Sequence, residues 1–320
     1  MDKKSVFSGV VLTLAVFVLI GFATLGLDGG ALIAYGGSTA TTTVTITNAA
    51  PTVSSVNING TNPATITLTP NTTTNVNVEA TVTDNNGCTD INAGTTTILL
   101  YRSAFTSSTC LSNGGADASN CYLATVFTAS STCSTSNIIS TTTFAVQYYA
   151  RATDASSSFA SNNWQATVIF KDPSNATGSA DSSNNGTTND FATLTGINVT
   201  TSSINYGSLG PGTTSAVSTT TVSNVGNSSS TLQLSASTIL TSGGNTIAAD
   251  YQHYATSSFT WGTADVHLST TSAAIAGFTL TAPTSAVAIT GNVFWALQPP
   301  AGTATGTYAG VNQFTSVFTP

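Results

Sequence analysis

Charge is what this chain has least of. Charged residues fill 5% of its 320 positions, against roughly 25% in an average soluble domain. After Lys4 the only cations are Arg102, Arg151 and Lys171, and Glu79 is the only glutamate. No stripe of Lys and Arg is available to neutralise phosphates, which excludes nucleic acid as a partner. The helix formers Leu, Glu and Lys are also scarce, while Thr, a β-former, abounds. That balance excludes a helical bundle and predicts an all-β chain.

Further absences bear on chemistry. No C-x-x-C pair occurs, and His253 and His267 lie far along the chain from the four cysteines, so a zinc site lacks its usual spacing. No G-x-S-x-G elbow marks a nucleophilic serine. One glutamate and scattered turn-located aspartates give no convincing carboxylate pair for glycoside chemistry. The chain therefore reads as no enzyme, with no catalytic residue, no metal and no cofactor, and its histidines as surface or strand-end residues.

What is present is periodicity. Val76, Val78, Ala80 and Val82 alternate in "TNVNVEATVTD", Phe144, Val146 and Tyr148 in "TFAVQYYARATD", and Trp164, Ala166, Val168 and Phe170 in "NWQATVIFKD". Farther on, "SAVAITGNVFWALQPP" sets Val287, Ile289, Val293, Trp295 and Leu297 on one face, and Tyr308, Phe314 and Phe318 alternate inward near the end. Such recurring apolar residues argue for packed domains over disorder. Short strands bounded by turn residues, with no long amphipathic helix between them, predict antiparallel sandwiches. The stretch "PSNATGSADSSNNGTTND" holds almost no large apolar residue and reads as a flexible linker. The expected organisation is a leader or hydrophobic helix over 1–36, a sandwich over 37–172, a linker over 173–190 and a second sandwich over 191–320.

The start, "MDKKSVFSGVVLTLAVFVLIG", opens an apolar run from Val6 to Leu27, long enough to span a bilayer as a helix. Lys3 and Lys4 should stay cytoplasmic, which sends the remainder outward. Three fates stay open. A signal peptidase could cut after Ala40, behind the small residues Ser38 and Ala40, or the helix could stay as a membrane anchor, or it could be a packing helix exposed by cleavage between Ser5 and Val6. All three predict an extracellular or cell-surface location.

Cys88, Cys110, Cys121 and Cys133 read as two disulfides of an exported chain. Of the three pairings, the turn-like "LSNGGADASN" favours Cys110 with Cys121, leaving Cys88 with Cys133. N-x-S/T sequons at Asn59, Asn71, Asn175, Asn185, Asn198 and Asn227 are candidate glycosylation sites. In "DNNGCTD", Asp84, Asn86 and Asp90 sit at alternate positions as in a calcium loop, but Cys88 fills a ligand slot and no distal Glu follows. A strand-connecting turn is the preferred reading there. Trp164 and Trp295 lie on apolar strand faces and read as core, whereas Tyr251, Tyr254 and Trp261 cluster in a less regular segment and form the candidate glycan contact.

Two resemblances add to this. The opening "DKKSVFSGVVLTLAVFVLIGFATLG" resembles the leader of archaeal type IV pilins, which implies removal of the basic segment after Ser5 and a filament-packing helix starting at Val6; Val10 stands where bacterial pilins carry Glu. The frames "APTVSSVNING", "YYARATD" and "NWQATVIFKD" in the first half, and "INYGSLGPGTTS", "VSNVGNSSSTLQLS" and "FWALQPPAGTATGTYAG" in the second, resemble tandem immunoglobulin-like surface modules of exported bacterial and archaeal proteins. That resemblance implies a surface-structure role. The expected function is a structural subunit of a cell-surface assembly that associates with itself, contacting the membrane through its helix if that is retained. The alternative is an anchored or secreted adhesin that binds a glycan or a partner cell.

Overall fold

A computed structural model of the chain describes residues 40–60, 65–125, 132–185, 189–201 and 203–319. The predicted helix over 1–36 and the cleavage candidates Ser5 and Val6 lie outside the described residues, and Ala40 lies in an exposed extended segment. No helix among the described residues is long and apolar enough to cross a membrane.

The chain is all-β. Its first half forms strands β1 (Thr52–Ile58), β2 (Thr65–Ile66) and β3 (Thr73–Thr83), a short helix α1 (Cys88–Ala93), β4 (Thr95–Arg102), a second short helix α2 (Ser107–Ser112), β5 (Cys121–Ala124), β6 (Asn137–Gln147), β7 (Trp164–Lys171), β8 (Thr177–Asp181) and β9 (Asp190–Phe191). Its second half forms β10 (Ile197–Val199), β11 (Ser218–Asn224), β12 (Ser230–Ser242), β13 (Asn245–Ile247), β14 (Gln252–Ala255), β15 (Val266–His267), β16 (Ala273–Leu280), β17 (Ile289–Leu297) and β18 (Ala309–Phe318).

In the first half a β1-β3-β6 sheet faces a β5-β4-β7-β8 sheet, the strand order of an immunoglobulin-type sandwich. Alternation produces it. Val76, Val78, Ala80 and Val82 of β3 and Trp164, Ala166, Val168 and Phe170 of β7 all point into one shared core, while the intervening Thr, Asn and Glu side chains of β3 face outward or lie at its margin. Phe191 completes the core by stacking on Trp164, with ring centroids 4.4 Å apart.

The second half has its own core, built on Leu232, Leu234, Phe278, Val293 and Trp295. One sheet runs β10-β11-β17-β14-β15, and β12 carries β16 and β13 in the other, with β18 also on β12. Relative to the first sandwich, the opening and closing strands have exchanged sheets: β11 lies beside β17, and β18 lies beside β12. Phe314 of β18 points inward against Trp295, as expected. Val287 does not join its predicted face. It precedes β17 and is 73% exposed.

Within 173–190 the described residues carry β8 and the start of β9, which corrects the linker reading. Strand β8 pairs antiparallel with β7 from Lys171↔Thr177 to Thr167↔Asp181. Gly178 has a steric reason: a Cβ there would run into the backbone of Pro51. Low apolar content here goes with strand pairing, with close backbone approach at Gly178 and exposed Thr177 and Ser179. The sandwiches instead join at 192–196, where Leu194 N–H donates to Asn227 Oδ1 at 2.8 Å and Val225 N–H to Gly196 O at 3.0 Å.

Candidate functional site

The second sandwich gathers the chain's histidines at a sheet edge. Strands β14 and β15 pair antiparallel with His253 directly opposite His267, so both rings lie on one face of the sheet. Their centroids are 3.9 Å apart. The turn between the strands returns Trp261 onto the other side of His253, 3.7 Å away and 10° from parallel. Gly262, at φ 75°, and Ala264, at φ 57°, supply the left-handed backbone that this reversal needs.

Asp265 fixes the central ring. His253 Nδ1–H donates to Asp265 Oδ2 at 2.6 Å, and Gly262 N–H donates to the same oxygen at 2.9 Å. An ionised carboxylate only accepts, which places the proton on Nδ1. Burial pushes the Asp265 carboxyl up, but the hydrogen bond from His253, the bond from Gly262 and the charge of His253 together hold it below the usual carboxylate range. The result is a rigid Trp-His-His stack in which His253 is buried and His267 exposed.

The predicted aromatic trio does not form one surface. Tyr254 is 3% exposed and packs towards Trp295 in the core, so it is no glycan contact. Tyr251 is exposed, and Trp261 is half-buried with one face covered by His253. The histidines, expected as surface or strand-end residues, are brought together by the β14/β15 register. The visible signal was that "HYATSSFTWGTADVH" holds both of them around the turn that carries Trp261.

The other predicted residues separate clearly. Cys88 is bonded to Cys133 and Cys110 to Cys121, with Cα atoms 5.8 and 5.6 Å apart, the chemistry of an oxidising compartment. Asn71, Asn175 and Asn198 are exposed, as is Asn59, whose Oδ1 accepts from Asn77 N–H. The side chain of Asn185 lies outside the described residues. Asn227 is the exception among the sequons. It is 3% exposed and its Nδ2 donates to Ala192 O, so burial closes it to glycosylation. The two arginines are also committed inside the fold: Arg102 and Arg151 lie over the Phe159 ring at 4.3 and 5.5 Å.

One further surface is built from backbone. Among the described residues β18 pairs with β12 alone, so its outer edge carries unpaired N–H and C=O groups. No charge and no proline interrupts its ten residues, "AGVNQFTSVF", and Val311 and Val317 are exposed. Among the described residues the segment "ATTTVTIT" from Ala40 has no assigned strand pairing, and its Val44 and Ile46 are 84% and 82% exposed.

No family model matches the chain, and no curated protein matches it. Among solved structures, a cryo-EM reconstruction of the native conformation of Escherichia coli alpha-2-macroglobulin aligns with a TM-score of 0.23 and 9% identity, over 82% of this chain and 16% of that one. This chain therefore spans about one sixth of that protein's length.

Proposed function

We propose that this protein is a non-enzymatic structural subunit of an extracellular, cell-surface assembly, built by strand addition between copies. The observation that carries this reading is a match of two unsatisfied elements. Among the described residues an uncharged ten-residue strand, β18, pairs on one edge only, and a Thr-rich segment with alternating Val44 and Ile46 is exposed and has no strand pairing. Soluble sandwiches protect such edges with Lys, Pro or bulges, because a free edge templates pairing with another chain. Here the segment of one copy adds to β18 of the next, with main-chain hydrogen bonds giving affinity and Val44 and Ile46 giving register.

The reading also accommodates the apolar start, which anchors the subunit in the membrane or packs as a pilus-like filament core. Deletion of residues 38–47 tests it. The deletion should leave a folded but unassembled protein, and assembly at the wild-type level would refute strand addition.

A second reading rests on the ring stack. Trp261, half-exposed and held flat against His253, has the form of a small aromatic platform of the kind that stacks on sugar rings. In that reading the protein is an adhesin. A glycan array probed with the protein discriminates the two, because the structural reading predicts a blank array.

A further inference from the structure

The DNNGCTD turn does more than connect strands. Asp84 follows β3, Asp90 lies in α1 and Asp172 follows β7, so the turn's two carboxylates meet a third from the opposite sheet. One carboxylate oxygen from each lies within 4.8 Å of the others. The ligand that the sequence seemed to lack comes from a distant strand end.

We propose that Asp84, Asp90 and Asp172 form a calcium site that clamps one end of the first sandwich. An acidic cluster alone would not establish this, but Asp84 adds an independent observation. It is 1% exposed, its Oδ1 accepts from Asn86 N–H at 2.8 Å, and its Oδ2 is buried with no hydrogen-bond donor. A buried carboxylate oxygen without a partner is costly unless a cation or proton meets it. No cationic side chain does so: His253–Asp265 is the one ion pair among the described residues, and it lies in the other sandwich.

The surroundings hold the carboxylates in place. Asp172 accepts from Ala176 N–H on Oδ1 and from Asn48 Nδ2 on Oδ2, each at 2.8 Å, and each oxygen keeps a lone pair. Asn86 Oδ1 accepts from Ala49 N–H at 2.7 Å, and the Cys88–Cys133 disulfide fixes the base of the turn. Three chain segments are thus tied around the cluster before any ion arrives.

The donor set selects the ion class. Every ligand is a carboxylate oxygen, with no imidazole and no free thiol nearby, which favours a hard cation over zinc or copper. The three oxygens, all within 4.8 Å of one another, can share one calcium coordination sphere with metal–oxygen distances of about 2.4 Å. Ligands from a turn, a short helix and a distant strand end suit calcium's tolerant geometry, whereas magnesium demands a near-ideal octahedron. The proposal stands independently of strand addition.

Calorimetry and thermal melting of the full chain, disulfides oxidised and metals stripped by a chelator, test it with calcium chloride as the probe. One calcium should bind per chain with a Kd of about 10⁻⁴–10⁻³ M, the range of extracellular modules, and raise the melting midpoint by several degrees at saturation. Asp90→Asn, a change at a half-exposed position, should weaken Kd by about tenfold or more. Asp84→Asn should melt above the wild type in chelator, because one repelling charge is gone, and should show no calcium shift. The absence of any heat or shift with calcium would overturn the site, as would a shift retained in Asp84→Asn or an equal response to magnesium.

Discussion

The imidazole of His253 lies 3.7 Å from the indole of Trp261, the two rings 10° from parallel, with Asp265 hydrogen-bonded to the imidazole edge. A side chain from an irregular turn is thereby fixed against a strand, and the turn is held by contacts at both its ends. The Asp265 carboxylate is central, since it ties the His253 ring and the Gly262 backbone to one oxygen.

The pH dependence of that tie has a definite sign. Asp265 is held below the usual carboxylate range in the folded chain, so the folded state binds fewer protons than the unfolded one. Its contribution is complete above the unfolded value of about 3.9 and is lost as pH falls through that value and then through the lower folded one. Asp265→Asn should therefore melt below the wild type at pH 7, by about 1 kcal/mol or more for a charge-assisted hydrogen bond. The gap should close towards pH 2, and a gap constant with pH would contradict the account.

The two disulfides should differ in weight. Cys88–Cys133 spans 45 residues and Cys110–Cys121 spans 11. Chain-entropy reasoning gives about 4 kcal/mol for the longer loop and about 3 kcal/mol for the shorter. Denaturant melts of the paired Cys→Ala variants measure the difference, and the Cys88/Cys133 variant should be the less stable.

Asn227 should behave as a structural residue. Its Oδ1 accepts from Leu194 N–H and its Nδ2 donates to Ala192 O, at the join between the sandwiches. Asn227→Ala leaves both groups without that partner and should cost about 1–3 kcal/mol. Glycopeptide mapping of protein secreted from a glycosylating host should find Asn227 bare, whatever the occupancy of the exposed sequons.

Gly178 tests whether 173–190 is strand or linker. In a flexible linker Gly178→Val would be neutral. In β8, where a Cβ meets the Pro51 backbone, it should destabilise the first sandwich by about 1–3 kcal/mol. Chemical denaturation monitored by tryptophan fluorescence, with buried Trp164 as a reporter, measures it.

The sequence shows the fold most clearly where burial alternates. The alternating apolar residues of β3 and β7 all face the core. It fails where space, rather than hydrophobicity, decides the residue. In β8 the Pro51 backbone leaves no room for a side chain at Gly178, and Thr177 and Ser179 are exposed, so the strand carries no apolar signal. The ring stack and the carboxylate cluster were illegible for another reason. His253 meets His267 through strand register, and Asp172 meets Asp84 across two sheets, and neither relation exists until the chain has folded. Tyr254 looked like its neighbour Tyr251 in the sequence, but only one of the two sits on a strand whose face is covered.

Strand addition between copies is most directly tested by a mixed cross-link. One copy would carry Val44→Cys and another Thr315→Cys, placing a thiol in the exposed segment and one on the free edge of β18. Oxidised together under conditions that permit assembly, they should yield a disulfide-linked heterodimer, and a chain carrying both substitutions should yield a ladder of higher oligomers. Only monomers, with wild-type assembly persisting, would contradict the account.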